Sequence, residues 1–109
     1  IEQCQRWNPS LLESFQQLAD TGCVEFLDQT YYHSLSSLFG IDRSEFVEQV
    51  KMHRQLTKDL FRQEPKVFEN SECLYNNLIA KTVEGLGYEA VVTEGVERVL
   101  GMAQPKLRL

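Results

Sequence analysis

Two kinds of apolar spacing alternate along the chain. Leu11, Leu12, Phe15, Leu18 and Ala19 recur at intervals of three and four, which places them on one face of an α-helix. Asn8-Pro9 opens that helix as N-cap and first helical residue, and Gly22 closes it. A second stripe runs through Phe46, Val47, Val50, His53, Leu56, Leu60 and Phe61. Asp42 and Glu45 give it a capping-box-like start, Ile41 and Phe46 can staple it, and Glu64-Pro65 ends it. A third stripe takes Leu74, Tyr75, Leu78, Ile79, Val83 and Leu86, with Asn70 or Ser71 as its cap and Gly87 as its stop. Between the stripes lie short, continuous apolar runs that read as strands: Cys23-Val24-Glu25-Phe26-Leu27, Lys66-Val67-Phe68, and the run through Ala90-Val91-Val92. Positions 96–100 suggest a last helical turn, and 104–106 a frayed end.

Helix and strand alternate, which implies parallel βα units. The expected fold is α/β: about three strands and three to four helices in a single domain over 1–109, a slice of a larger parallel β/α barrel. Gly85-x-Gly87 falls at a helix end, whereas phosphate-binding glycines precede a helix start, so no dinucleotide site is implied.

Composition narrows the functional classes. The net charge of -5 argues against a partner held through nucleic-acid phosphates. No apolar run reaches membrane-spanning length and no secretory signal is visible, so neither a membrane nor a nucleic-acid partner is expected. Cys4, Cys23 and Cys73 are odd in number and widely spaced, which suits reduced thiols and a cytoplasmic location. The first residue is Ile1, as expected of an excised or processed piece.

Three places carry candidate chemistry. Thr93-Glu94-Gly95 ends the run 90–92 with a carboxylate, and in parallel α/β sheets chemistry gathers at the carboxyl ends of strands. Glu25 interrupts an apolar run, so it either faces a polar cavity or lies in solvent on an edge strand. Tyr31-Tyr32-His33 follows that run, with ring faces suited to stacking on sugars or to capping the core. His53, inside an apolar stripe, reads as a packed, hydrogen-bonded histidine and not as a base. The two histidines lack ligand spacing, and no metal or cofactor is expected.

Thr21-Gly22-Cys23-Val24-Glu25-Phe26-Leu27, with Thr30-Tyr31-Tyr32-His33 behind it, resembles the second sequence signature of glycoside hydrolase family 57. Glu64-Pro65-Lys66-Val67-Phe68-Glu69-Asn70 and Ile79-Ala80-Lys81-Thr82-Val83-Glu84 resemble its α-amylase-type members, and Ala90-Val91-Val92-Thr93-Glu94-Gly95 resembles the third signature. The resemblance covers nearly the whole chain. It implies a (β/α)7 barrel, retaining chemistry on α-glucans or oligosaccharides, no catalytic metal, Glu94 as nucleophile, and Glu25, His33 and Tyr32 near the sugar. The family's His-Gln-Pro signature and the stretch with its aspartate acid/base are absent, which implies the middle of a catalytic domain, inactive alone. A carbohydrate deacetylase barrel and a non-catalytic carbohydrate-binding or regulatory domain are the alternatives. Glu25 and Glu94 are expected to line one cavity.

Three parallel strands cannot close a barrel, so apolar surface and strand edges stay open. A few hundred Å² at about 25 cal/mol per Å² amounts to several kcal/mol. The isolated chain is therefore expected to self-associate or to be only marginally folded, and sedimentation at micromolar concentration checks the association: a stable monomer would refute it.

Overall fold

The computed structural model describes residues 1–38 and 42–95. Among them are α1 (Glu2–Trp7), α2 (Pro9–Asp20), α3 (Ser44–Phe61), β1 (Val67–Glu69), α4 (Asn77–Gly85) and β2 (Ala90–Val92). Short 3-10 turns, Ser34–Leu38 and Ser71–Cys73, precede α3 and α4 respectively. The expected turn at 96–100, the end at 104–106 and the Ile41 half of the staple lie outside the described residues. No helix among the described residues is long and apolar enough to cross a membrane.

Helix ends follow local chemistry. Pro9 sits in the first turn of α2, and Gly22, at φ +70, takes the left-handed conformation just past its C-terminal end. The expected cap of α3 is displaced by one residue: Arg43 is the N-cap, and Asp42 accepts a hydrogen bond from the Ser44 amide at 2.8 Å. That backbone donor holds the Asp42 carboxyl below its ordinary range. Arg62 ends α3 at φ 56, three residues before Pro65. The third stripe starts later than expected. Its cap is Asn76, whose side chain accepts from the amides of Leu78 and Ile79 at 3.0 and 2.9 Å. Asn70 instead turns inward, so Leu74 and Tyr75 precede the helix.

The sheet has two named strands where three were expected. β1 and β2 pair in parallel, with Val67 beside Ala90, Phe68 beside Val91 and Glu69 beside Val92. The stretch 23–27 stays outside the ladder because a side chain takes the place of a neighbouring strand. Gln63 donates to the Val24 carbonyl at 2.8 Å and accepts from the Phe26 amide at 3.1 Å. Only Asp28 joins β1, level with Phe68: its amide donates to Val67 O and its carbonyl accepts from Glu69 N, both at 2.9 Å. What is observed is thus a small α/β unit with a two-stranded parallel sheet and four helices.

Two apolar clusters hold these elements. Phe46 and Val50 of α3, Phe68 of β1, Ile79 and Val83 of α4, and Tyr88 form the larger one. Phe68 is its centre, with the Phe46 and Tyr88 ring centroids 5.9 and 5.6 Å away. Leu12, Ala19 and Phe61 form the smaller one, where Phe26 stacks on Phe61 at 4.3 Å. The rest of the α2 stripe is uncovered: Leu11, Phe15 and Leu18 are each 40% exposed or more.

Between the clusters lies the fully buried Asp28 carboxylate. His53 Nδ1 lies 2.5 Å from Oδ1, and the Gln29 amide donates to the same oxygen at 3.0 Å. The Tyr88 hydroxyl donates to Oδ2, and Arg54 Nε stands 3.6 Å from it. Arg54 also donates to the Tyr88 hydroxyl oxygen at 3.1 Å and to Leu86 O at 3.2 Å, with its guanidinium 4.2 Å from the Tyr88 ring centroid. His53 is thus the packed, hydrogen-bonded histidine that its stripe position implied.

Burial, and then the Asp28 carboxylate that accepts its hydrogen bond, push the Tyr88 pKa well above its ordinary value of 10.0. An unfolded Tyr88 ionises near pH 10 and the folded one does not, so its stabilising effect is complete below about pH 10 and is lost as pH rises further. Urea midpoints should hold level from pH 7 to about pH 9 and then fall. Tyr88→Phe should start lower and lose most of that alkaline fall; Tyr31, whose pKa is raised by its bond to Glu2, supplies the remainder. An unchanged alkaline slope in Tyr88→Phe would refute this.

Candidate functional site at the carboxyl end of the strands

Parallel pairing gives the sheet one carboxyl end, and the loops 29–38, 70–76 and 93–95 all leave from it. The first two are stitched together by short polar side chains. The Ser34 amide donates to Ser71 Oγ at 2.9 Å, Ser34 Oγ donates to Ser71 O at 3.1 Å, and the two hydroxyls lie 2.7 Å apart. Asn70, only 2% exposed, donates to Ser37 Oγ at 2.7 Å and to Leu74 O at 3.0 Å. Ser34, Ser36 and Ser37 are buried with it. Small hydroxyl side chains suit this role, since they satisfy backbone groups at close range where a loop has no ladder.

Beyond this seam the backbone is strained. Glu72 and Cys73 have φ values of 58 and 50, left-handed conformations that favour glycine. Each such residue costs on the order of 1 kcal/mol or more. The Glu72 carboxylate lies 3.7 Å from His33 Nε2, with both side chains more than half exposed. Exposed ion pairs are worth at most about 1 kcal/mol, too little to offset two strained residues. Three shielded oxygens at this end also lack partners: Ser36 Oγ, Asn70 Oδ1 and Thr93 Oγ1.

Of the residues expected to act, His33 and Glu94 both lie at the carboxyl end. His33 is drawn to Glu72, and Glu94 is exposed two residues past β2. Tyr32, 60% exposed, meets Tyr31 edge to face at 4.9 Å. It lines a cavity of about 270 Å³ with Tyr31, Gln29, His53, Leu56 and the start of the chain. Tyr31 is tethered there by donating its hydroxyl to Glu2 at 2.9 Å.

Glu25 is elsewhere. Asp28 stands level with Phe68 and Phe68 with Val91, so Glu25 lies three residues before that level and Glu94 three residues after it. The two carboxylates therefore sit toward opposite ends of the sheet, and the shared cavity expected for them does not form. Glu25 is exposed while its neighbours Val24 and Phe26 are half-buried, the alternation of an extended segment with one face in solvent.

Sequence reading missed Asp28 and Glu72, and took Asn70 only as a possible helix cap. For Asp28 there was one signal, the polar His53 in an apolar stripe, which required a buried partner. For Glu72 there was none, because nothing in Asn70-Ser71-Glu72-Cys73 announces a left-handed pair. Among the described residues no group of three His, Cys, Asp or Glu side chains is placed to hold a metal ion.

Known proteins bear on this arrangement. A protein of Methanocaldococcus jannaschii, named "Putative alpha-amylase", is 45% identical over 105 residues, or 96% of this chain. The chain spans 22% of that relative's length. No solved structure matches. The sequence profile of glycosyl hydrolase family 57 matches residues 1–109, and the chain belongs to that family.

Proposed function

We propose that this chain is the central part of a catalytic domain that cleaves or transfers α-glucan chains with retention of configuration, and that Glu94 is its nucleophile. The observation that carries the reading is the position of Glu94. It follows a short parallel strand, at the end of the sheet where the two stitched loops also converge. In the proposed reaction the Glu94 carboxylate attacks the anomeric carbon and forms a glycosyl-enzyme ester as the glycosidic C–O bond breaks. A second carboxyl group, from a part of the parent protein outside this chain, protonates the departing oxygen; it then takes a proton from water or an acceptor sugar as that oxygen attacks the anomeric carbon and the ester bond to Glu94 breaks, restoring both carboxyl groups. Retention requires the two carboxyl groups to be about 5–5.5 Å apart.

In this reading Tyr32 offers its exposed ring to an apolar sugar face and His33 meets a sugar hydroxyl. Glu25, toward the other end of the sheet, takes no part in the chemical step. No metal or cofactor is required, and the chain alone is inactive for want of the acid/base.

The test uses the full-length parent protein and a soluble α-glucan. Glu94→Gln should lower kcat by about a thousandfold or more while the circular dichroism spectrum is unchanged. Mass spectrometry with a slow fluorinated glycosyl donor should find the adduct on the peptide containing Glu94. Near-normal turnover by the folded variant would overturn the assignment.

A further inference from the structure

We propose that Glu72 is a positioning residue of this site: it holds the His33 imidazole over the carboxyl end of the strands, and the left-handed backbone at Glu72 and Cys73 serves to bring its carboxylate there. The inference rests on the reading of the site given above and adds to it a residue that neither the sequence signatures nor the family assignment singles out.

Three observations converge. The first is conformational. A tight turn at φ 58 and φ 50 is met most readily by glycine, yet the chain carries Glu and Cys. The second is positional. Glu72 follows β1 and His33 follows the segment that joins the sheet at Asp28, so the 3.7 Å pair bridges loops from two neighbouring chain segments. The third is the support beneath it. The Ser34–Ser71 bonds join the residues adjacent to His33 and Glu72, and buried Asn70 clamps the base of the same turn. Strain persists only where the surroundings over-determine it, and this seam supplies that constraint.

The chemistry follows from the imidazole's two nitrogens. With Nε2 on the side of the Glu72 carboxylate, 3.7 Å away, Nδ1 is left to meet a hydroxyl-bearing ligand. Glu72 then acts through His33 on sugar binding and not on bond cleavage.

The experiment compares Glu72→Gly, Glu72→Gln, His33→Ala, the His33→Ala/Glu72→Gln double variant and Glu94→Gln in the full-length parent. Glu72→Gly relieves the left-handed strain, so its Tm should equal or exceed that of the unaltered protein, while KM rises about three- to fivefold with kcat nearly constant. Glu72→Gln should raise KM by a similar factor, and in the His33→Ala background it should change KM less than about twofold. A Glu72→Gly variant with unchanged KM, or with a lowered Tm, would overturn the proposal. So would a Glu72→Gln effect of equal size with and without His33. If Glu94→Gln is inactive while every Glu72 variant binds normally, this inference fails alone. If Glu94→Gln is fully active, the site reading fails and this inference with it.

Discussion

The buried carboxylate of Asp28 is the constraint around which the other elements are arranged. Its backbone is the one point where the 23–28 segment joins β1, and its side chain is the point where α3 and the approach to β2 meet. A carboxylate removed from water needs charge-assisted donors to be tolerated. Here hydrogen bonds come from His53 on α3, Tyr88 just before β2 and the amide of Gln29, while the charge of Arg54, the next residue of α3, stands 3.6 Å away. Because each donor belongs to a different part of the chain or a different helical direction, satisfying one carboxylate sets several orientations together. Taking away a partner of such a buried charge typically costs about 3–5 kcal/mol, a large share of what a domain of this size has. The apolar clusters supply most of the cohesion, but they are tolerant of small shifts. The hydrogen bonds to Asp28 are not, and they fix how α3 sits against the strands.

The same division of labour recurs at the carboxyl end. Strands of three residues provide little ladder, so the loops beyond them cannot inherit rigidity from the sheet. The serine and asparagine seam replaces it, with hydroxyl and amide side chains closing backbone valences across two loops. Gln63 does the equivalent at the amino end, where its amide stands in for a missing strand. In both places side chains do what backbone does in a larger sheet. That substitution is why the 23–27 run, apolar enough to read as a strand, is extended and half-buried without being part of the ladder.

Periodicity made the helices legible. The stripes on α2 and α3 recovered both elements, because long amphipathic spacing survives any tertiary context. It could not distinguish the six-residue α1, which buries nothing and so leaves no stripe. The start of α4 was misplaced because Asn70, Ser71 and Asn76 are chemically equivalent as caps. Only the buried bonds that Asn70 makes to Ser37 and Leu74 decide which of them is free to cap. The candidate site divided the same way. His33, Tyr32 and Glu94 were singled out by their place after apolar runs and by the resemblance, and the structure places His33 and Glu94 toward the carboxyl end. The position of Glu25 depended on register, which one residue of pairing at Asp28 settles and no sequence pattern announces.

Register also explains why Glu25 and Glu94 look alike in sequence and differ in space. Each is a carboxylate beside a short apolar run, but Glu25 lies inside its run, before the pairing point, and Glu94 lies after its own. In a parallel sheet that difference is one of direction: residues before the level of pairing point to the amino end, and residues after it reach the carboxyl end. Six residues of offset, at about 3.3 Å per extended residue, allow a separation of up to roughly 20 Å along the strand direction. No rotamer change spans such a distance. The direction of the strands, more than the number of acidic residues, thus decides which side chains reach the carboxyl end together.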